Sequence, residues 1–244
     1  MEQFRIEIAT TDFPTTQSAV EGGAHRIELC ANLAEGGTTP SFGMLKNCRE
    51  KFQVELYPMI RPRGGDFLYT EEEFKLMLDD AKLCKQLGCD GIVTGFLNRD
   101  GSIDVQRTSK IVEAVYPLGV TFHRAFDRCR DPFQAMEQLI EIGCERILTS
   151  GQKPNALDGA PLIGKLNEKA DHRIIIMPGA GVNVETIGRI REITGCVEFH
   201  ASLRTTRKSE MEFVHAEFAG SNESYTNNAI DPDEVRRLIS QLVN

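Results

Sequence analysis

Strand-like and helix-like segments alternate along this chain almost without interruption, and that alternation limits the possible folds more than any other feature. Arg5 to Thr10 reads as a strand and Pro14 to Glu21 as a short helix. Arg26 to Ala31 is the second strand, with a helix from about Ser41 to Phe52 after it. Val54 to Ile60 is the third strand. Thr70 then caps a long helix, with Glu73 three residues on as a capping box and Gly88 as its stop. Gly91 to Phe96, Val120 to Ala125 and Arg146 to Thr149 read as further strands, with helices at Asp104 to Tyr116, from Asp131-Pro132 to Gly143, and loosely at Ala160 to Ala170. Arg173 to Met177 is the seventh strand and Val197 to Ala201 the eighth, separated by a helix from Val184 to Thr194. A polar stretch from Ser202 to Ala229 delays the last helix, which starts at Asp231-Pro232.

Alternating units of this kind imply parallel strands joined by right-handed crossovers. About eight of them in 244 residues fit a single-domain TIM-type (β/α)8 barrel over residues 1–244, with Ser202 to Ala229 as an inserted loop. A doubly wound open sheet is the competing arrangement, but no GxGxxG follows the first strand.

The formal net charge of -8 argues against a general nucleic-acid binder. No apolar run approaches the roughly 20 residues of a membrane span, and MEQFRIEIAT reads as a strand rather than a signal peptide, so a cytoplasmic protein is expected. The seven cysteines include no CxxC, as expected of free thiols in a reducing compartment. Cys89, Cys144 and Cys196 each follow the glycine that ends a helix, a position suited to packing rather than to ligation.

Active sites of such barrels lie at the C-terminal ends of the strands. Polar residues collect there. Glu28, Cys30 and Asn32 follow the second strand next to the loop Gly36-Gly37-Thr38-Thr39-Pro40, and a buried unpaired carboxylate is costly enough to suggest that something polar is accommodated. Arg61 and Arg63 sit in MIRPRGGDF, and arginine suits carboxylate or phosphate. TFHRAFD supplies His123, Arg124 and Asp127; alternation puts only one of His123 and Arg124 inside. The sixth strand gives Thr149, Ser150 and Gln152. The eighth gives Glu198 and His200 on one face and Arg204 beyond. Gly179 and Gly181 lie in the turn after the seventh strand, where barrels often bind phosphate.

These residues point to a pocket for a small anionic ligand, with Glu28, His123 and His200 as acid and base, and Asn32, Arg61, Arg63, Asp127, Ser150, Gly179, Gly181 and Arg204 as binding groups. Structural ion pairing inside the barrel is the competing explanation for each residue taken singly. A metal is the other possibility: Cys30 at the strand end and Cys48 on the next helix could come together.

The runs IELCANLAEGGTTPSFGM, MIRPRGGDF, GIVTGFL followed by DGSID, VTFHRAFD, RILTSGQ, IMPGAGV and EFHASLR, in that order, resemble the CutC family. The resemblance extends from the second strand through the eighth. It implies a TIM-like barrel, a cytoplasmic homo-oligomer and a role in copper homeostasis, with Cu(I) held through cysteines. Cys30 and Cys48 stand where the copper-liganding pair proposed in animal relatives would be. Copper handling and chemistry on a small anionic metabolite are therefore both expectations for this chain. A third is a scaffold whose oligomer surface matters.

Overall fold

In the computed structural model, which describes residues 4–218 and 225–243, eight short parallel strands form the staves of a barrel. They are β1 (Arg5–Thr10), β2 (Arg26–Leu29), β3 (Glu55–Pro58), β4 (Gly91–Thr94), β5 (Gly119–Phe122), β6 (Arg146–Thr149), β7 (Ile175–Pro178) and β8 (Glu198–Ala201). The order β3-β2-β1-β8 forms one ladder and β4-β5-β6-β7 the other. A bridge between Met59 and Val93 joins the two at β3 and β4. At the other seam β7 lies against β8, with Gly179 close to His200. The TIM-type barrel read from the alternation is the fold of this chain.

Helices α1 (Phe13–Glu21), α2 (Phe42–Lys51), α3 (Glu71–Gln86), α4 (Val105–Val115), α5 (Pro132–Ile142), α6 (Ala156–Ala170), α7 (Ile187–Thr194) and α8 (Pro232–Val243) connect the strands. Their ends follow local chemistry. The Thr70–Glu73 capping box opens α3, and Asp131 accepts from the Phe133 and Gln134 amides at the start of α5. Gly143 ends α5 at φ 90°, a backbone that L side chains rarely adopt.

The strands divide the interior into two media. Outward residues such as Ile6, Ile27, Leu56, Ile92, Phe122 and Phe199 pack with the helices in one large apolar core. Inward residues are largely polar. Arg26 bonds Glu7 and Glu198, each at 2.6 Å, and Arg146 bonds Glu198 at 2.7 Å, all nearly without exposure. Both guanidinium groups lie over the Tyr57 ring. This charge-balanced plug fills the lower barrel, and the groups above it remain for chemistry.

Two expectations need correction. The Ser202 to Ala229 stretch is not only loop: β9 (Arg204–Lys208) and β10 (Thr226–Ile230) pair as an antiparallel ribbon. Residues 219–224 of that stretch lie outside the described residues. Strand β5 also ends at Phe122, so the two-residue alternation does not reach His123 and Arg124. Both residues line the same cavity.

Candidate functional site

Two neighbouring cavities at the C-terminal ends of the strands share lining residues. The inner one, about 260 Å³, is walled by Glu28, Met59, Arg61, His123, Arg124 and His200. The outer one, about 560 Å³, lies between the turns after β7 and β8 and the start of β9. Arg124 and His200 border both, so they are the partition between the two spaces.

His200 is held by register. Glu7 on β1 pairs with Arg26 on one side and His200 on the other. His200 Nδ1 lies 2.8 Å from Glu7 Oε1, and its Nε2 lies 3.8 Å from Glu28 Oε2. Burial alone would lower the His200 pKa, but the Glu28 and Glu7 carboxylates outweigh it and raise the value. Glu7 is also desolvated, yet Arg26 and His200 hold its carboxyl well below the usual carboxylate range. Glu28 behaves oppositely. Burial dominates there, and with Glu7 nearby it raises the pKa, so this carboxyl keeps its proton more readily than an exposed one. Glu28 Oε2 accepts from the Cys30 thiol at 3.4 Å, while Glu28 Oε1 is buried without a partner.

His123 is a different kind of histidine. The Ala125 amide donates to its Nδ1 at 3.2 Å, which leaves the ring proton on Nε2. Burial, and next the Arg61 charge, lower its pKa to about 3. It is therefore a neutral imidazole, and its Nε2 is buried with no partner. The expected acid–base role does not suit such a ring; a hydrogen-bond donor does.

The remaining expected residues separate by location. Arg61 borders the inner cavity, but its NH1 and NH2 bond the carbonyls of Glu35, Gly37 and Gly65. It pins the glycine loop after β2 and contributes charge. Arg63 points away, to Glu73 at 2.5 Å and Asp66 at 3.1 Å. Asn32 is exposed and turns the chain in a left-handed conformation (φ 48°), with its carbonyl accepting from the Glu35 and Gly37 amides. Asp127 and Ser150 are buried supports: Asp127 accepts from Thr149 Oγ1, the Ser150 amide and Arg124 Nε. Ser150 Oγ accepts from Arg124 NH2 at 2.7 Å. Gly179 makes room for His200. Gly181 and Arg204 line the outer cavity.

Arg124 is the cavity-lining group that the alternation argument left undecided. Its spacing to Asp127 was the available signal, because the two form an i,i+3 pair at 2.8 Å. Glu7, the polar residue that the first strand supplies, sits at the base of the His200 pair.

A paired cysteine site does not form. Cys30 packs inside the barrel with Tyr57, Met59 and Val93, whereas Cys48 packs in the outer core and meets Met44 Sδ at 3.6 Å. The β2 wall separates the two thiols, because Cys30 shares the inward face of Glu28. Burial, then Glu28, push the Cys30 thiol up, which favours the protonated form over the thiolate that copper needs. Cys30 does have a soft neighbour: a Cβ on Gly37 would lie 3.3 Å from both Cys30 Sγ and Met59 Cε. Among the described residues, the one group of three or more His, Cys, Asp or Glu side chains spaced for a metal is Glu7, Glu28 and His200.

Comparison with known proteins agrees with this barrel. The pattern of the CutC family matches residues 4–205. A family protein CutC from Parabacteroides distasonis is 53% identical over 209 residues, covering 85% of this chain and 86% of the relative. The copper homeostasis protein cutC homolog of Homo sapiens is 45% identical over 239 residues, covering 96% and 88%. The crystal structure of a CutC protein from Streptococcus agalactiae superposes with a TM-score of 0.78 at 32% identity, over 81% of this chain and 98% of that one.

Proposed function

The chain belongs to the CutC family, and from that premise we propose that it is an enzyme performing acid–base chemistry on a small anionic metabolite in the inner cavity. The observation that carries this reading is the set of buried, unpartnered atoms on residues lining that cavity: Glu28 Oε1, His123 Nε2 and Arg61 Nε. Leaving a buried polar group unpaired costs about 1–3 kcal/mol, so three on the walls of one space mark a site suited to a ligand.

The roles follow from the environments. Glu28, whose pKa burial raises, holds its proton more readily than an exposed carboxyl and is the group placed to give and take a proton. His123 Nε2–H stabilises negative charge that develops on the substrate without losing its own proton. His200, held by Glu7, supplies positive charge beside Glu28. Arg124, with one edge fixed by Asp127 and Ser150, attracts the anion. The test is to incubate the purified protein with a cell extract, wash, and identify bound small molecules by mass spectrometry. An anion retained by the wild type and lost in Glu28→Gln and His123→Ala supports the reading; equal retention by all three rejects it.

A second reading is favoured by the contact of Cys30 and Met59 beside the same cavity and by the name of the human relative. In it Cu(I) is a cargo taken by one thiol and one thioether, with no part for Cys48. Cys30→Ser then abolishes Cu(I) binding in a competition titration, and Cys48→Ser leaves it intact; unchanged binding in Cys30→Ser ends this reading. The buried free thiols support a cytoplasmic location. The exposed side chains of Met211, Phe213 and Val214 support a homo-oligomer, which sedimentation would read.

A further inference from the structure

We propose that the two cavities form one bipartite site, in which the outer cavity holds a phosphate of the substrate while the reacting end lies between Glu28 and His123. This rests on the acid–base reading of the inner cavity and names the substrate class for it: a phosphorylated small metabolite.

Adjacency is the first observation. Arg124 and His200 border both cavities, so the side chains that divide the two spaces are themselves groups that one ligand spanning both would touch. Together the spaces exceed what a lone carboxylate needs, since ligand pockets of about 300–1,000 Å³ serve whole metabolites.

The second observation is the lining. The outer cavity is built from the turns after β7 and β8, and Ala180, Gly181 and Leu203 in those turns take left-handed φ of 74°, 75° and 45°. The Asn183 amide is already bonded, to Thr186 Oγ1. Among the described residues the amides of Gly181 and Val182 have no hydrogen-bond partner, and both residues line the cavity.

The third is charge. Arg204 borders the cavity, and among the described residues no ion pair or side-chain hydrogen bond engages it. Arg124 faces it from the opposite side with its orientation fixed by Asp127 and Ser150. Acidic side chains are present too, but two are engaged. Asp231 accepts from the Asp233 amide at the start of α8, and Glu234 pairs with Arg237. Glu185 is the acidic side chain on this cavity that remains uncommitted. Arg124 and His200 are themselves paired with Asp127 and Glu7, so Arg204 is the uncommitted cation that faces Glu185 here, and a phosphate would share Arg124 with Asp127. A dianionic phosphate with several acceptor oxygens uses two separated guanidinium groups and backbone amides better than a single carboxylate does.

The test uses inorganic phosphate as probe, followed by amide and imidazole NMR of the full chain. The expected result is saturable shifts at the Gly181 and Val182 amides and at least a tenfold weaker phosphate affinity in Arg204→Ala and in Arg124→Ala. Arg204 is exposed, so its replacement leaves the fold intact as a control. Phosphate that leaves these amides unmoved, or binds Arg204→Ala as tightly as wild type, overturns the proposal. Acetate is titrated in parallel and separates the two ideas. If acetate shifts the His123 Nε2 proton while phosphate misses the outer turns, the bipartite site fails and the inner-cavity reading survives. If neither anion moves His123 or the outer turns, both fail.

Discussion

His200 Nδ1 stands 2.8 Å from Glu7 Oε1, and Glu7 has no exposed surface. A carboxylate in that position fixes the ring and stabilises its charged form, while Arg26 on the other oxygen of Glu7 keeps the carboxylate ionised. Replacing Glu7 by Gln should therefore lower the His200 pKa and leave Arg26 short of one partner. Removing one member of a buried pair costs about 3–5 kcal/mol. An NMR titration of the His200 ring, paired with urea unfolding, checks both effects. A His200 titration identical to wild type would show that Glu7 does not control it.

His123 sets a different pH dependence. Its pKa falls from 6.5 in the unfolded chain to about 3 in the folded one. The unfolded state therefore binds the extra proton first. This contribution to stability is fully present above pH 6.5 and is lost as pH falls from there toward 3, at up to about 1.4 kcal/mol per pH unit. His25, lowered chiefly by burial, acts in the same direction. Glu7 adds its own loss only below pH 4.5, because its pKa is depressed from that value. His200 has the opposite sign: its raised pKa gives stability that fades as pH climbs past 6.5. Urea unfolding between pH 4.5 and 6.5 reads His123 and His25 together, against Glu28, whose raised pKa gives the opposite slope, so the variant is what separates the His123 share. His123→Gln should flatten the slope in that window, and an unchanged slope would assign it elsewhere.

The barrel was legible because βα alternation and helix caps are local signals, and Thr70–Glu73 and Asp131-Pro132 act as their patterns imply. The inner cavity was legible in part because Glu28 and His200 lie on strands, where period two fixes the face. His123 and Arg124 lie just past the end of β5, where that period no longer governs direction. The fates of Arg61 and Arg63 depend on partners that sequence spacing does not reveal: carbonyls of two glycine loops for one, Glu73 across a turn for the other. The separation of Cys30 from Cys48 is equally non-local. It depends on which side of a strand each sulfur falls, and adjacency along the chain says nothing of the wall between them.

Gly179 tests how closely β7 must approach β8. A Cβ there would run into Leu148 Cδ1 and stand 3.3 Å from His200 Cβ. Gly179→Ala should cost about 1–3 kcal/mol through overpacking. It should also displace His200 from Glu7, which thermal unfolding and the His200 ring signals report together. A variant as stable as wild type with unshifted His200 signals would mean that the seam relaxes freely.

Asp127 is expected to act on ligand only through Arg124. Its two oxygens accept from Thr149 Oγ1 at 2.6 Å, from the Ser150 amide at 3.0 Å and from Arg124 Nε at 2.8 Å. The first two hold the turn after β6; the third aims the guanidinium at the partition between the cavities. Asp127→Asn keeps the size of the side chain but replaces one acceptor oxygen by a donor, so one of these bonds must be lost. Losing a charged hydrogen bond costs about 1.5–3 kcal/mol of stability. If the role is positional, phosphate affinity should fall in Asp127→Asn about as far as in Arg124→Ala, and the double variant should be no weaker than Arg124→Ala alone. Calorimetric titration of the four proteins checks this. Additive losses would mean that Asp127 contributes to binding by a route that bypasses Arg124.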